Sequence, residues 1–345
     1  MLNEKVNLKN LTLEELQQFM KDINEPPYRA KQIFRWIYKG ISKFDQMTDL
    51  PKSLIGKLNR IAYIPQIQIY KKYSSSLDET VKYIFLLEDG NIIESVKMEY
   101  SFGQSVCVSS QVGCQMGCIF CASTLGGMVR NLTCGEMADQ VLAIEQDTGR
   151  KVSRVVIMGS GEPLLNYGEL IKFLHILNSD LTFNISFRRI TVSTCGIVPE
   201  MRRLADEGLP ITLAVSLHAP DDELRNKLMP VNRKYPILEL LDACKYYIIK
   251  TNRRITFEYA LISNVNDTVE CAFKLSKLLA GMLCHVNLIP LNIVKERNFE
   301  KSNPEQIQLF EKILKDNGIA CTIRREMGAD IEAACGQLRR SLLVR

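Results

Sequence analysis

The chain has 345 residues, 46% of them hydrophobic and 24% charged, enough to bury one large core with a small appendage beside it. Its 44 basic against 39 acidic residues leave a net charge of +5, a mild excess that permits a nucleic-acid partner without demanding one. The longest apolar stretch, residues 278–294, is interrupted by His285, Asn287, Pro290 and Asn292, which excludes a membrane-spanning helix.

The opening residues MLNEKVNLKN are polar and lack the apolar run of a secretory leader, so the expected setting is the cytoplasm. The eleven cysteines are then expected as reduced thiols, metal ligands or reacting groups rather than as a disulfide framework. Residues 11 to about 62 read as helices. LTLEELQQFMKDI opens with Thr12 and Glu15 in the spacing of a capping box. After the turn at Glu25-Pro26-Pro27, YRAKQIFRWIYKG places Ile33, Trp36 and Ile37 on one helix face and Arg29, Lys31, Arg35 and Lys39 on the other. From Ile67 to Met98, alternation such as TVKYIFLL and NIIESVKM predicts a short antiparallel sheet turning at Glu88-Asp89-Gly90.

Beyond Ser105 short β-rich runs (SVCVS, VSRVVIM, RRITVS, PITLAVS, RRITFEYA, CHVNLIP) alternate with amphipathic helical segments. Six such units predict an α/β fold: a partial (βα)6 TIM-like barrel with a small N-terminal helical accessory domain and a short antiparallel sheet. The expected division is 1–62 for the helices, 63–100 for the β-rich linker and 101–345 for the barrel. In parallel barrels, reacting groups gather at the C-terminal strand ends. Glu162, Ser193, Ser216, His218 and Asn292 fall there.

GCQMGCIFCAST sets Cys114, Cys118 and Cys121 just after the first barrel strand. Three thiolates on one tight loop can hold three corners of an iron–sulfur cubane and leave the fourth iron open. A zinc site is the alternative, but zinc prefers paired C-x2-C elements and a fourth ligand. The spacing resembles the radical S-adenosylmethionine (SAM) superfamily. That resemblance implies one 4Fe-4S cluster on Cys114, Cys118 and Cys121, with SAM at the open iron cleaved on reduction to a 5′-deoxyadenosyl radical. MGSGEPLLN is similar to the superfamily's GGEP-type motif, so Gly161 and Glu162 are expected at the SAM amino group, with Ser160 where the usual form has methionine. Ser193, Ser216, Leu217, His218 and Asn292 match positions for SAM ribose and carboxylate contacts. Taken alone, a strand-end Ser or Asn more often satisfies local backbone.

CVSSQVGC, DIEAACGQLRR, VSLHAP, NKLMPVN and EPPYRAKQIFRWIY together resemble the RlmN/Cfr family of radical SAM RNA adenine methyltransferases, over nearly the whole chain. The resemblance implies two SAM molecules per turnover. The first methylates Cys335, and the second provides the radical that opens the S-methyl group for addition to adenine. It further implies Glu94 as the base that takes the ring proton and Cys107 as the thiol that attacks Cys335, through a transient disulfide, to release RNA. Without it, Glu94 reads as a solvated strand residue. The implied partners are 23S rRNA, tRNA and an electron donor such as flavodoxin or ferredoxin.

GEPLLN looks like the branch that methylates adenine carbon 2; methylation of carbon 8 of the same rRNA adenine is the alternative. A rival of another class is a non-catalytic RNA-binding module with a structural metal, which has no need of Cys107 and Cys335. Cys134, Cys195, Cys244, Cys271, Cys284 and Cys321 read as small buried hydrophobes, with Cys195 beside the expected SAM site. Residues Tyr28 to Lys39, with a smaller cluster at Arg339, Arg340 and Arg345, are the candidate RNA-gripping surfaces.

Overall fold

A computed structural model of the chain describes residues 5–338; the arginine cluster at 339, 340 and 345 lies outside the described residues. Three helices lead the chain: α1 (Leu13–Asp22), α2 (Arg29–Tyr38) and α3 (Lys52–Ile61). The capping box at α1 is complete, with the Glu15 amide donating to the Thr12 hydroxyl at 3.2 Å and the Thr12 amide to the Glu15 carboxylate at 2.8 Å. In α2, Ile33, Phe34, Ile37 and Tyr38 are buried, while Lys31, Arg35 and Lys39 are exposed. Trp36 is only half-buried, because its indole N–H turns outward to Asp49 at 2.6 Å. The apolar faces of these helices join the same core as the rest of the chain. Lys9 and Asp139, both buried, form an ion pair across that junction.

One ten-stranded sheet organises the remainder. Its strands are β1 (Gln68–Ser74), β2 (Val81–Leu86), β3 (Ile92–Tyr100), β4 (Gly103–Cys107), β5 (Arg154–Ile157), β6 (Ile190–Thr194), β7 (Thr212–Ser216), β8 (Ile255–Leu261), β9 (Cys284–Pro290) and β10 (Cys321–Ile323). They lie in chain order from one edge to the other, antiparallel from β1 to β4 and parallel from β4 to β10, so the barrel stays open. Seven parallel strands stand where six β/α units are expected. The seventh, β10, has three residues and is too short to show a period. The antiparallel strands continue the barrel sheet edge to edge through β3 and β4.

Helices α4 (Cys134–Thr148), α5 (Tyr167–Asn178), α6 (Val198–Asp206), α7 (Asp222–Leu228), α8 (Ile237–Thr251), α9 (Val269–Leu279) and α10 (Pro304–Asp316) alternate with the parallel strands. Fully buried Val155, Val192, Leu213, Val215, Phe257 and Leu288 put the core along the middle of these strands. Among the described residues no helix is long and apolar enough to cross a membrane.

Candidate active site

The C-terminal ends of the parallel strands surround a cavity of about 160 Å³. Cys114, Cys118, Cys121, Gly161, Glu162, Ser193, Ser216, His218, Asn292 and Cys335 all line it. Leu217 does not: its side chain is fully buried, and it contributes through a carbonyl that accepts from the Arg225 Nε at 3.2 Å.

The cysteine loop is clamped by its own backbone. Gln111–Gly113 pairs antiparallel with Met128–Asn131, closing residues 114–127 into a hairpin. Gly113 has φ +78°, and a Cβ there would lie 1.9 Å from the Gly127 carbonyl, so only glycine fits. The Cys114 amide donates to that carbonyl at 3.1 Å. Thr124 Oγ1 donates to the carbonyls of Cys118 and Cys121 at 3.2 and 2.9 Å, and the Ala122 amide ties the loop to the Gly336 carbonyl at 2.7 Å.

Burial pushes the Cys114 thiol up to about 11 and raises Cys118 and Cys121 as well, the neighbouring thiols adding to the effect. A cationic iron centre reverses that balance by deprotonating its thiol ligands, so the three residues fit the cluster. Among the described residues no three candidate ligands converge on a single ion position. The three thiols all border the large cavity.

Glu162 is fixed and buried. Its carboxylate accepts from the Leu164 amide at 3.0 Å and the Cys195 amide at 2.7 Å, while its own amide donates to Gln111 Oε1 at 2.9 Å. Burial raises its pKa against those hydrogen bonds. The preceding Gly161 has φ +111°, and a Cβ would meet Gln111 side-chain atoms at 2.6 Å. Ser160 does not line the cavity; its hydroxyl lies 3.3 Å from that of Ser123, which does. Cys195 serves Glu162 through its backbone, which gives that residue a local structural task.

His218 has φ +56°, and its Nδ1 accepts from the Ala260 amide at 2.9 Å. Burial, with the nearby Arg225 guanidinium, depresses its pKa to about 3, so the ring is neutral with its proton on Nε2. Asn292 Nδ2 donates to the Cys335 carbonyl at 2.9 Å and so holds the C-terminal segment against the cavity.

A smaller cavity of about 30 Å³ lies behind Cys335, lined by Val96, Met98, Cys107, Met158 and Arg324 among others. Cys335 borders both cavities. Burial lifts the Cys107 thiol to about 12; Cys335 adds to that, and the Arg324 guanidinium opposes it. All eleven cysteines are free thiols, Cys107 and Cys335 among them. Glu94 is 2% exposed, not solvated, and lines neither cavity. Alternation along β3 places it on the face of Val96 and Met98, because Ser95 points to Gln140 of α4 at 2.6 Å.

Two residues at the site escape sequence reading. Glu258 lies in the apolar run of β8, borders the large cavity and accepts from Asn287 Nδ2 at 2.9 Å. A carboxylate inside a strand otherwise made of ITFEYAL was the available signal. Arg324 follows β10, lines both cavities and lies 3.9 Å from Glu258; it escapes because its strand does. Of the remaining cysteines, Cys134, Cys244, Cys271 and Cys321 are buried, and Cys284 is half-buried.

Residues 6–64 match the model of the ribosomal RNA large subunit methyltransferase N-terminal domain, and residues 108–272 match the radical SAM superfamily. A protein of Thermoanaerobacter sp. (strain X514) named "Probable dual-specificity RNA methyltransferase RlmN" is 57% identical over 98% of both chains. One of the same name from Clostridioides difficile (strain 630) is 55% identical over 99% of both. The crystal structure of a radical SAM methyltransferase from Sphaerobacter thermophilus superposes with a TM-score of 0.91 at 46% identity, covering 96% of this chain and 99% of that one. Such likeness over the full length, on an open parallel barrel with three thiols at its mouth, shows that the chain belongs to the RlmN family of radical SAM methyltransferases, which use a three-cysteine 4Fe-4S cluster and SAM.

Proposed function

We propose that the protein methylates carbon 2 of adenine in 23S rRNA and in tRNA through a methyl-cysteine at Cys335. The observation that carries this reading is the position of Cys335 in the wall between the cysteine-triplet cavity and the Cys107 cavity. Carbon 2 of adenine is not a nucleophile, so direct methyl transfer from SAM fails there. A protein sulfur that first takes the methyl group by polar displacement, and then delivers it, removes that obstacle.

Cys114, Cys118 and Cys121 hold the cluster. Glu162 receives the SAM amino group, with Gly161 giving the backbone room, while Ser193, Ser216, neutral His218 and Asn292 orient the rest of the molecule. When bound, the cluster would supply the electron that cleaves a second SAM, and the 5′-deoxyadenosyl radical released would take a hydrogen atom from the Cys335 S-methyl group, opening it to addition at carbon 2. The adduct radical gives up its odd electron to a one-electron acceptor, and Glu94 takes the ring proton. Cys107 then attacks the Cys335 sulfur, forming a transient S–S bond as the carbon–sulfur bond to RNA breaks; the electron pair of that bond passes into the adenine, and the freed methylene takes up a proton to become the methyl group.

Exposed Lys31 and Arg35 of α2, with Lys39 just past its end and half-buried Arg29 at its start, grip the RNA backbone, and residues 1–62 act as an accessory unit. An acidic one-electron carrier of the flavodoxin or ferredoxin class reduces the protein, in the cytoplasm. Mass spectrometry of substrate RNA after anaerobic reaction with isotopically labelled SAM tests the reading. Labelled 2-methyladenosine is expected in both RNAs. Labelled 8-methyladenosine would move the protein to the carbon-8 branch, and the absence of any label in RNA would end the proposal.

A further inference from the structure

The antiparallel strands extend the sheet face on which Cys107 lies. Cross-strand partners share a face, and the register runs Cys107 to Val96, Val96 to Lys82, and Lys82 to Tyr73. A neighbouring row runs from Glu94 through Ile84 to Lys71. The opposite face is taken by α4, where Lys72 and Tyr83 both reach Asp147 at 2.7 Å. Three strand spacings put Tyr73 roughly 14 Å from Cys107, close enough for a nucleotide beside the target but not for the target itself.

The chemistry changes at the outer edge of this face. β2 and β3 are largely buried, but every residue of β1 is exposed. Tyr73 is 38% exposed, and the Lys71 ammonium lies 4.7 Å from its ring centroid and that of Lys82 5.4 Å. Neither lysine has a carboxylate partner among the ion pairs of the described residues. Lys82 also donates to the Glu332 carbonyl at 3.2 Å, so this edge abuts the segment that carries Cys335. An aromatic ring beside two cations that have no carboxylate partner among the described residues, on the sheet face that also carries Cys107, has the chemistry of a single-stranded nucleic-acid platform.

We propose that Tyr73, with Lys71 and Lys82, is a subsite for an unpaired nucleotide flanking the target adenine. The base stacks on the ring, the Lys71 ammonium meets its phosphate, and Lys82 adds charge from beneath. The subsite rests on the RNA-methyltransferase reading and sharpens it. Stacking tolerates any base, which suits an enzyme acting on two RNAs of different sequence.

The test uses the full-length, cluster-loaded protein and a fluorescein-labelled RNA hairpin with an adenine in its loop, with Kd read by anisotropy over a salt series. Loss of a stacking platform worth ~1–3 kcal/mol corresponds to about 5- to 150-fold, so Tyr73→Ala should weaken binding within that range. Tyr73→Phe should bind like the parent. Tyr70→Ala, which removes the exposed unpaired residue of the β1 bulge, should stay within about twofold as the surface control. Lys71→Ala should lower the salt slope by about 0.7, one single-strand phosphate contact. The subsite is overturned if Tyr73→Ala binds within about twofold of the parent, or if Tyr70→Ala loses as much. It is equally overturned if the parent is a dimer that Tyr73→Ala dissociates, which would assign this open edge to a second copy of the chain. A parent that binds the hairpin with this Tyr73 dependence yet never labels RNA would defeat the methyltransferase reading and leave the subsite standing.

Discussion

Two groups of sulfur atoms meet at one cavity by opposite routes. Cys114, Cys118 and Cys121 sit on a single hairpin loop clamped by its own backbone, so their mutual placement is a local property. Cys107 ends a central strand, whereas Cys335 arrives on a C-terminal segment tied down through Asn292 and the Ala122 amide. Their meeting depends on the whole barrel. The first group should therefore be lost by one substitution within its own loop, whereas the second should split into separable steps. Replacing Cys118 with Ala should abolish iron–sulfur absorbance and reductive SAM cleavage, because two thiolates do not secure the cluster. Iron analysis of the anaerobically loaded variant checks this, and full iron content would remove Cys118 from the ligand set.

The second group should break step by step. Cys335→Ala is expected to keep the cluster but form neither methylated protein nor RNA adduct. Cys107→Ala should form the adduct and fail to release it, so a covalent protein–RNA band accumulates on denaturing gels. Glu94→Gln should trap the same species, with turnover reduced by ~10²–10⁴-fold, the usual contribution of a positioned base. Because burial lifts the Cys107 thiol to about 12, resolution in the parent should quicken as pH rises and thiolate accumulates. Methyl-cysteine found at position 107 would reverse the two sulfur roles.

The same contrast explains what sequence could reveal. The Cys114/Cys118/Cys121 spacing and the alternation of β4 to β9 are short-range patterns, and both survive in the structure. Long-range pairing leaves no such mark. Nothing in TVKYIFLL states that its sheet continues into the barrel. Three residues of β10 are too few to announce a strand, so Arg324 beyond it goes unnoticed. Leu217 is placed one residue from a cavity-lining neighbour, but its side chain points into the core, a distinction that needs the left-handed turn at His218. The Glu94 face emerges only once Ser95 is seen on α4.

Away from the sulfur, two ion pairs sharpen the distinction between interior and surface. Lys9 and Asp139 are buried at the junction between the N-terminal helices and α4, with side-chain exposures of 1% and 5%, and Asp139 also accepts from the Ile67 amide at 3.3 Å. Lys9→Met would leave a buried carboxylate without its cation and should destabilise the protein by about 3–5 kcal/mol. Lys72 and Asp147 pair at 2.7 Å on the outside, with the lysine 45% exposed, and Lys72→Met should cost no more than about 1 kcal/mol. Urea denaturation of the two variants measures both, and equal losses would contradict the difference in burial.

The smallest expected effect lies on the cysteine hairpin itself. Arg130, on its returning strand, joins Asp89 in the β2–β3 turn at 2.6 Å and Glu136 in α4 at 2.7 Å. Partial burial works against ionisation of Asp89, but hydrogen bonds from Arg130 and Asn91 outweigh it and hold the pKa at about 2, below the ordinary 3.8. A carboxylate depressed in the folded state contributes stability above its unfolded pKa and loses it as pH falls through the folded one. This contribution should therefore be intact above about pH 4 and fade toward pH 2, with screening at this partly exposed site keeping it small. Asp89→Asn should lower the melting temperature slightly at neutral pH and make that deficit shrink toward pH 2. A deficit that stays constant across the titration would mean that Asp89 acts through its shape and its hydrogen bonds to Asn91 rather than through its charge.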